Sequence, residues 1–348
     1  MNPVATRGSR SEGRAKDTKV KRRPPGTRSL RFMVLLVVAL LLCMLGVVMV
    51  LSASSVNDLR SYGDAWHHLK RQVLWFLIGL ISMATMIRID YRRLRPLAVP
   101  GLFVCIGLLV LVLIPGLGLR TNGSARWLDL GVASLQPSEF LKLALVLYCA
   151  DLLSRRKRPL TEKRLTLYPI MGMVGVIGVL LMMEPDLGTS MIVGAIAVAM
   201  LFFAGLRLRL LALLVGGGAI GAFGLAMSAG YRRKRLFSML DPWTDPLDTG
   251  WQAIQSGVAI SNGGLFGIGL GASRAKWGFL PFAHTDFIYA IIAEEFGLVG
   301  AGLVIVGFLV IGLVGLSTAL HAPDPFGQLL AAGITTWIMI QAFVNIGA

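Results

Sequence analysis

The sequence predicts an all-α, polytopic helical membrane protein, and three observations carry that prediction. Of 348 residues, 55% are hydrophobic and only 15% charged, against about 25% charged in an average globular domain. One soluble core cannot hide that much apolar surface. The apolar residues also fall into long runs, and the 34 basic residues, set against 18 acidic ones for a net charge of +16, lie mostly between the runs, where membrane topology places them. A soluble enzyme, a disordered chain and a disulfide-stapled secreted domain are excluded. Because the charge follows the runs, nucleic acid is not its reason.

A hydrocarbon core about 30 Å thick needs about 20 apolar residues at ~1.5 Å each. Phe32–Leu51 meets this without a charge; it exceeds the h-region of a signal peptide and reads as a retained anchor. Eight more runs follow, at Val73–Ile87, Leu97–Leu119, Phe140–Leu153, Leu167–Met183, Leu187–Leu206, Leu210–Ala229, Phe287–Leu320 and Phe326–Ala348. Nine transmembrane helices are therefore predicted. Lys142 and Asp151 interrupt the fourth run. The eighth, at ~51 Å, is too long for one perpendicular span, so its start is expected to project beyond the lipid or to line a cavity.

Residues 1–31, rich in Lys, Arg, Gly and Ser, read as a disordered basic tail, and 32–348 as one transmembrane domain. The tail carries ten Lys and Arg. Placing it in the cytoplasm puts the loops Arg88–Arg95, Arg155–Arg164 and Arg207–Arg209 there too, so that 22 of the 34 basic residues lie inside. That orientation makes Gly230–Thr285, between the seventh and eighth spans, a large extracellular loop. Long loops with their own turn chemistry are usually functional. Cys43, Cys105 and Cys149 each sit in an apolar run without CxxC spacing and read as free, packed thiols.

Ionisable groups near membrane depth are costly and mark sites by default. Glu139 and Lys142 share a helical face at i,i+3 and form either a structural ion pair or part of a cavity lining. Glu184-Pro185-Asp186 is either a polar turn outside the lipid or a break of the discontinuous-helix type. Asp286 either caps the helix that follows it or serves as a general base at the outer mouth of a cavity. His284 has no second His or Cys at ligand spacing, which argues against zinc. Arg232-Arg233-Lys234-Arg235 places four cations on the external side, against the charge rule. The cluster is either a solvated patch or, the favoured reading, an anion site, since arginine grips phosphate with two donors. Gly267-Ile268-Gly269-Leu270-Gly271-Ala272 matches a dinucleotide fingerprint formally but has no βαβ context; tight turns explain its glycines.

Taken in order, these segments resemble the SEDS family (shape, elongation, division and sporulation). The resemblance covers nearly the whole chain. Asn122-Gly123-Ser124-Ala125-Arg126-Trp127-Leu128 precedes Gln136-Pro137-Ser138-Glu139-Phe140-Leu141-Lys142. Glu184-Pro185-Asp186-Leu187-Gly188-Thr189 follows, where the family usually has Gln before the proline, then Tyr231-Arg232 to Arg235, and Gln255-Ser256. The sharpest match is Leu280-Pro281-Phe282-Ala283-His284-Thr285-Asp286-Phe287 with Glu294-Glu295-Phe296-Gly297. At Phe282 the family commonly has Glu or Asn. Trp243 and Ala272–Trp277 look closer to the division (FtsW) branch than to the elongation branch.

The resemblance implies a peptidoglycan glycosyltransferase that polymerises lipid II at the outer face of the bacterial cytoplasmic membrane, at the division septum. It implies Asp286 as the catalytic residue, acting as general base, and substrate contacts from Arg232, Arg235, Arg126, Lys142, Glu139, Gln255, Ser256 and His284. A divalent cation (Mg2+ or Mn2+) is a candidate companion of the diphosphate. The implied partners are a class B penicillin-binding protein transpeptidase and other division proteins. The family has ten spans, so this chain is expected to lack the last. The alternatives are a flippase or transporter of lipid-linked precursors, in which Glu184, Asp186 or Lys142 would work through protonation, and a non-catalytic division scaffold.

Overall fold

The computed structural model describes residues 29–121, 124–129, 134–155 and 163–347. The expected tail lies almost wholly outside them. Among the described residues, an apolar helix occupies each run: α1 (Leu30–Tyr62), α2 (His67–Arg88), α3 (Ala98–Leu113), α4 (Pro137–Ser154), α5 (Lys163–Met183), α6 (Leu187–Phe203) and α7 (Leu208–Ser228), then, after α8 (Gly230–Leu240) and α9 (Trp251–Gly263), α10 (Ile288–Leu320) and α11 (Pro325–Ile346). Among the described residues, seven helical segments are long and apolar enough to cross a membrane. The two apolar helices outside that set have local reasons: α6 has only 17 residues, and α4 carries Glu139, Lys142 and Asp151. Both lie in the main core, where a helix enclosed by others need not present a lipid-length apolar face.

Two expectations need correction. The third run does not stay helical to Leu119. α3 ends at Leu113, and Pro115-Gly116, with Gly116 at φ 95°, turns the chain into a three-stranded antiparallel sheet. Its strands are β1 (Gly118–Thr121), β2 (Ser124–Asp129) and β3 (Ser134–Leu135), with Leu119 opposite Trp127 and Leu128 opposite Leu135. The fold is mostly helical, as expected, with this short sheet set between α3 and α4. Cys105 and Cys149 are buried, but Cys43 is exposed on α1 rather than packed.

Successive apolar helices run up and down, and polar links tie each end. At the end holding the basic loops, Arg95 reaches Asp151 at 2.6 Å and Arg92 reaches Asp324 at 3.2 Å. At the other end gather the α1–α2 turn, the sheet, the α5–α6 turn and all of residues 229–287. Two apolar clusters form the interior, one from α3, α4, α5, α6 and α11, the other from α1, α9, the start of α10 and the chain before it.

The long eighth run is resolved by a break. Gly297 sits at φ 68°, ψ −167° inside α10, and the backbone groups this frees bond to the preceding loop. Leu298 and Val299 donate to the carbonyls of Gly264 and Leu265 at 2.9 and 3.1 Å, while Ile268 and Gly269 donate to those of Glu294 and Glu295 at 3.0 and 3.1 Å. Only glycine suits the contact: a Cβ on Gly267 would lie 2.1 Å from the Glu295 oxygen, and one on Gly297 2.4 Å from that of Leu265. Irregular backbone at this depth is tolerated because protein covers it.

Candidate active site

The glycine-rich loop is tied to the start of α10 by side chains as well. Glu294 accepts from the hydroxyl of Ser273 and from the backbone N–H groups of Arg274 and Ala275 at 3.2 and 3.3 Å. Glu295 accepts from Ser52 of α1 at 2.6 and 2.8 Å and from the Lys276 ammonium at 3.2 Å. Both residues are buried, at 1% exposure each. Each buried charge has several partners, as burial requires, and three segments are locked together.

This clamp supports the turn that follows. Leu280 N–H bonds to Ala275 at 3.0 Å, Trp251 of α9 donates to the Phe279 carbonyl at 2.8 Å, and Arg60 of α1 donates to the Trp277 carbonyl at 3.3 Å. The Phe282 carbonyl accepts from the N–H groups of Thr285 and Phe287 at 3.0 and 3.4 Å. Asp286 stands at the end of this turn and is exposed. It does not cap α10: the cap position is Phe287, and the first turn contains no acid. The capping alternative is therefore set aside, leaving a solvent-facing carboxylate on an anchored turn.

His284 is half-buried, and its ring lies 4.7 Å from that of His68 in α2. Burial, then the neighbouring imidazole, push its pKa below the ordinary histidine value, so it is neutral at neutral pH. The second histidine absent from the local sequence is thus supplied in space. Even so, among the described residues no three His, Cys, Asp or Glu side chains are grouped to hold a metal ion.

The remaining expected residues divide into separate groups. Arg232 and Arg235 are on α8 at i,i+3, so they share a face; Arg232 donates to the Leu225 carbonyl at 3.4 Å. Gln255 and Ser256 are half-buried on α9, and the Ser256 hydroxyl bonds to the Ala253 carbonyl at 2.9 Å. Arg126, on β2, donates to the carbonyls of Glu184 and Pro185 at 3.3 and 2.8 Å. Asp186 caps α6 through the Thr189 N–H at 3.1 Å, so Glu184-Pro185-Asp186 is a polar turn between two antiparallel helices. Lys142, 1% exposed, donates to Glu139 at 2.9 Å and Gln341 at 2.7 Å. The ion pair with Glu139 stays within α4, and the bond to the Gln341 amide joins α4 to α11.

Residues 32–348 match the family of cell cycle proteins that comprises FtsW, RodA and SpoVE. The chain belongs to that family. It is 42% identical over 315 residues to a probable peptidoglycan glycosyltransferase FtsW of Geobacter metallireducens, across 90% of this chain and 84% of the relative. It is equally identical, over 315 residues, to stage V sporulation protein E of Bacillus subtilis, across 90% and 86%. Among solved structures it is similar to a chain of a peptidoglycan synthase complex, with a TM-score of 0.71 and 29% identity over 91% of this chain and 85% of that one. It is also similar to an aspartate-to-alanine variant of the Thermus thermophilus rod shape determining protein RodA, with a TM-score of 0.62 and 26% identity over 90% and 83%.

This FtsW/RodA/SpoVE chain is thus a multi-pass membrane protein whose candidate site sits at the end opposite the basic loops. The sequence reading missed Asp58, His68, Ser52, Ser273 and Lys276 as parts of that site. Lys276 had a usable signal, a lysine between small and aromatic residues in a glycine-rich stretch, which calls for a buried acid. Asp58 and His68 had none, because only the packing of α1 and α2 brings them to His284.

Proposed function

We propose that this protein is a peptidoglycan glycosyltransferase that polymerises lipid II at the outer face of the bacterial cytoplasmic membrane during cell division. The N-terminus is then cytoplasmic, consistent with the concentration of Lys and Arg at that end. The observation that carries the reading is the exposed Asp286 carboxylate on a turn anchored by α1, α9 and α10. In this scheme Asp286 takes the proton of the acceptor sugar's 4-hydroxyl, whose oxygen attacks the donor's anomeric carbon. The bond to undecaprenyl diphosphate breaks with inversion. Arg232 and Arg235 receive the diphosphate, which gathers charge as it leaves. Gln255 and Ser256 offer polar contacts to sugar. Arg126, Glu139 and Lys142 act as scaffold through the pairs described above.

A class B penicillin-binding protein that cross-links the new strands is the fitting partner, and the division septum the fitting location. The test is polymerisation of purified lipid II by reconstituted protein. Asp286→Asn keeps shape and removes basicity, so glycan synthesis is expected to stop while the protein stays folded in the membrane. Near-normal synthesis by that variant would end the assignment.

A further inference from the structure

Asp58 lies near the C-terminal end of α1 and is 0% exposed. Its carboxylate accepts from the Ser54 hydroxyl at 3.0 Å and from the backbone N–H of His68 at 3.0 Å. Its other oxygen is 2.5 Å from Nδ1 of His68. A carboxylate on one ring nitrogen selects the tautomer: Nδ1 carries the hydrogen, and Nε2 of the neutral ring is an acceptor. Tyr62 stacks on His67 at 4.0 Å, and the His67 ring sits edge-on to His68 at 5.4 Å, closing the side away from the turn. The Tyr62 ring also meets His68 edge-on at 6.1 Å, and the His284 ring lies 4.7 Å from it, tilted by 53°. His284 precedes Asp286 by two residues.

A fully buried carboxylate is costly, and here three hydrogen-bond donors hold it, two of them from His68. The result is an imidazole of fixed orientation against the turn that bears Asp286. We propose that His68, clamped by Asp58, is a positioning residue for Asp286 that acts through the imidazole of His284. This rests on Asp286 being the base of the reaction. The charged and titratable groups around the pair are Asp58 and Tyr62 from α1, His67 from α2, and Asp286 from the turn itself. A neutral His284 leaves the Asp286 carboxylate free to take the sugar proton, whereas an imidazolium beside it would hold the carboxylate and weaken it as a base. Because two adjacent imidazoles resist carrying two charges, His68 extends the neutral range of His284 to lower pH. It also sets the angle at which the turn presents its acid. In the active site, misplacement by about 1 Å can cost roughly a hundredfold.

The test uses full-length protein in vesicles, with lipid II polymerisation followed across pH. In His68→Asn the amide nitrogen takes the place of Nδ1, so the Asp58 bond survives and only the ring facing His284 is lost. Turnover at saturating lipid II is expected to fall about tenfold or more, with KM nearly unchanged and thermal unfolding as in the parent. The acid limb of the pH profile is expected to move to higher pH. Asp58→Asn removes a charge that favours imidazolium, so its acid limb should move the opposite way; it also keeps the proposal testable should His68→Asn fail to fold. Unchanged turnover and an unmoved limb would overturn the positioning role, as would a rise in KM alone. Asp286→Asn run alongside separates the two claims: an active Asp286→Asn protein overturns both, and an inactive one with a silent His68→Asn overturns only this one.

Discussion

The Lys276 ammonium lies 3.2 Å from Oε1 of Glu295, with 4% and 0% of the two side chains exposed. The same ammonium donates to the Gly271 carbonyl at 2.6 Å and to Ser52 at 3.2 Å, so one side chain joins the glycine-rich loop to both α1 and α10. Breaking a buried pair strands the remaining charge, at a cost of about 3–5 kcal/mol. Lys276→Met is expected to lower stability by that order, read as unfolding in detergent. The double change Lys276→Met with Glu295→Gln should recover much of it, because no charge is then left alone. Parent-like melting of the single variant would mean that the pair is not part of the clamp.

The α8 arginines give a second test. Arginine–phosphate contacts are each worth roughly 1.5–3 kcal/mol. Arg232→Ala or Arg235→Ala should therefore weaken use of lipid II roughly ten- to a hundredfold, measured as kcat/KM for polymerisation. Lysine at either position should restore only part, since a point charge lacks the two-pronged geometry. Kinetics indifferent to both changes would return the cluster to a solvated patch.

How much of this was legible in the sequence depends on the range of the forces involved. The apolar helices were, because a charge-free stretch such as Phe32–Leu51 has few alternatives in a membrane. The break at Gly297 was not. Apart from Glu294 and Glu295 the run around it is apolar and lacks proline, and the kink is made by pairing with Gly264 and Leu265, residues on a loop it meets only in the fold. The sheet was hidden by shortness: its strands have four, six and two residues, too few for alternation to stand out. Asp286 and Arg232 were reached through resemblance as much as through chemistry. Asp58 and His68 belong to the class of site residues that only tertiary packing assembles.

Phe282 is a site where local backbone energy and side-chain type disagree. It holds φ 57°, the left-handed region that costs an ordinary L-residue about 1–2 kcal/mol and that asparagine visits more readily. Its ring is 49% exposed, so little packing is lost on replacement. Phe282→Asn is therefore expected to stabilise the turn by about 1 kcal/mol, seen as a higher melting temperature without loss of polymerisation. A lower melting temperature would show that the ring contributes more, through lipid or a neighbour, than the backbone loses.

Glu184 offers a prediction whose sign can be worked out. It lies just past the end of α5, is 2% exposed, and its Oε1 has no hydrogen-bond partner among the described residues. Burial, then the nearby Asp186 charge, raise its pKa from 4.5 to about 7. Between those values the folded chain keeps a proton that the unfolded chain has released, so stability falls as pH rises. The loss begins near the unfolded pKa and is complete above about pH 7; at about 1.36 kcal/mol per pH unit it amounts to at most about 3 kcal/mol. Glu184→Gln stays neutral in both states and removes the effect, and glutamine is the residue the family usually has before this proline. Unfolding of the two proteins should therefore coincide near pH 4.5, with the glutamine variant increasingly the more stable up to about pH 7 and the difference constant above it. Polymerisation by that variant should persist, since Arg126 binds the Glu184 carbonyl and not its carboxylate. A parallel pH dependence in the two proteins would place the carboxylate in water. Loss of activity with stability retained would instead favour the transport alternative, in which protonation of this acid is the working step.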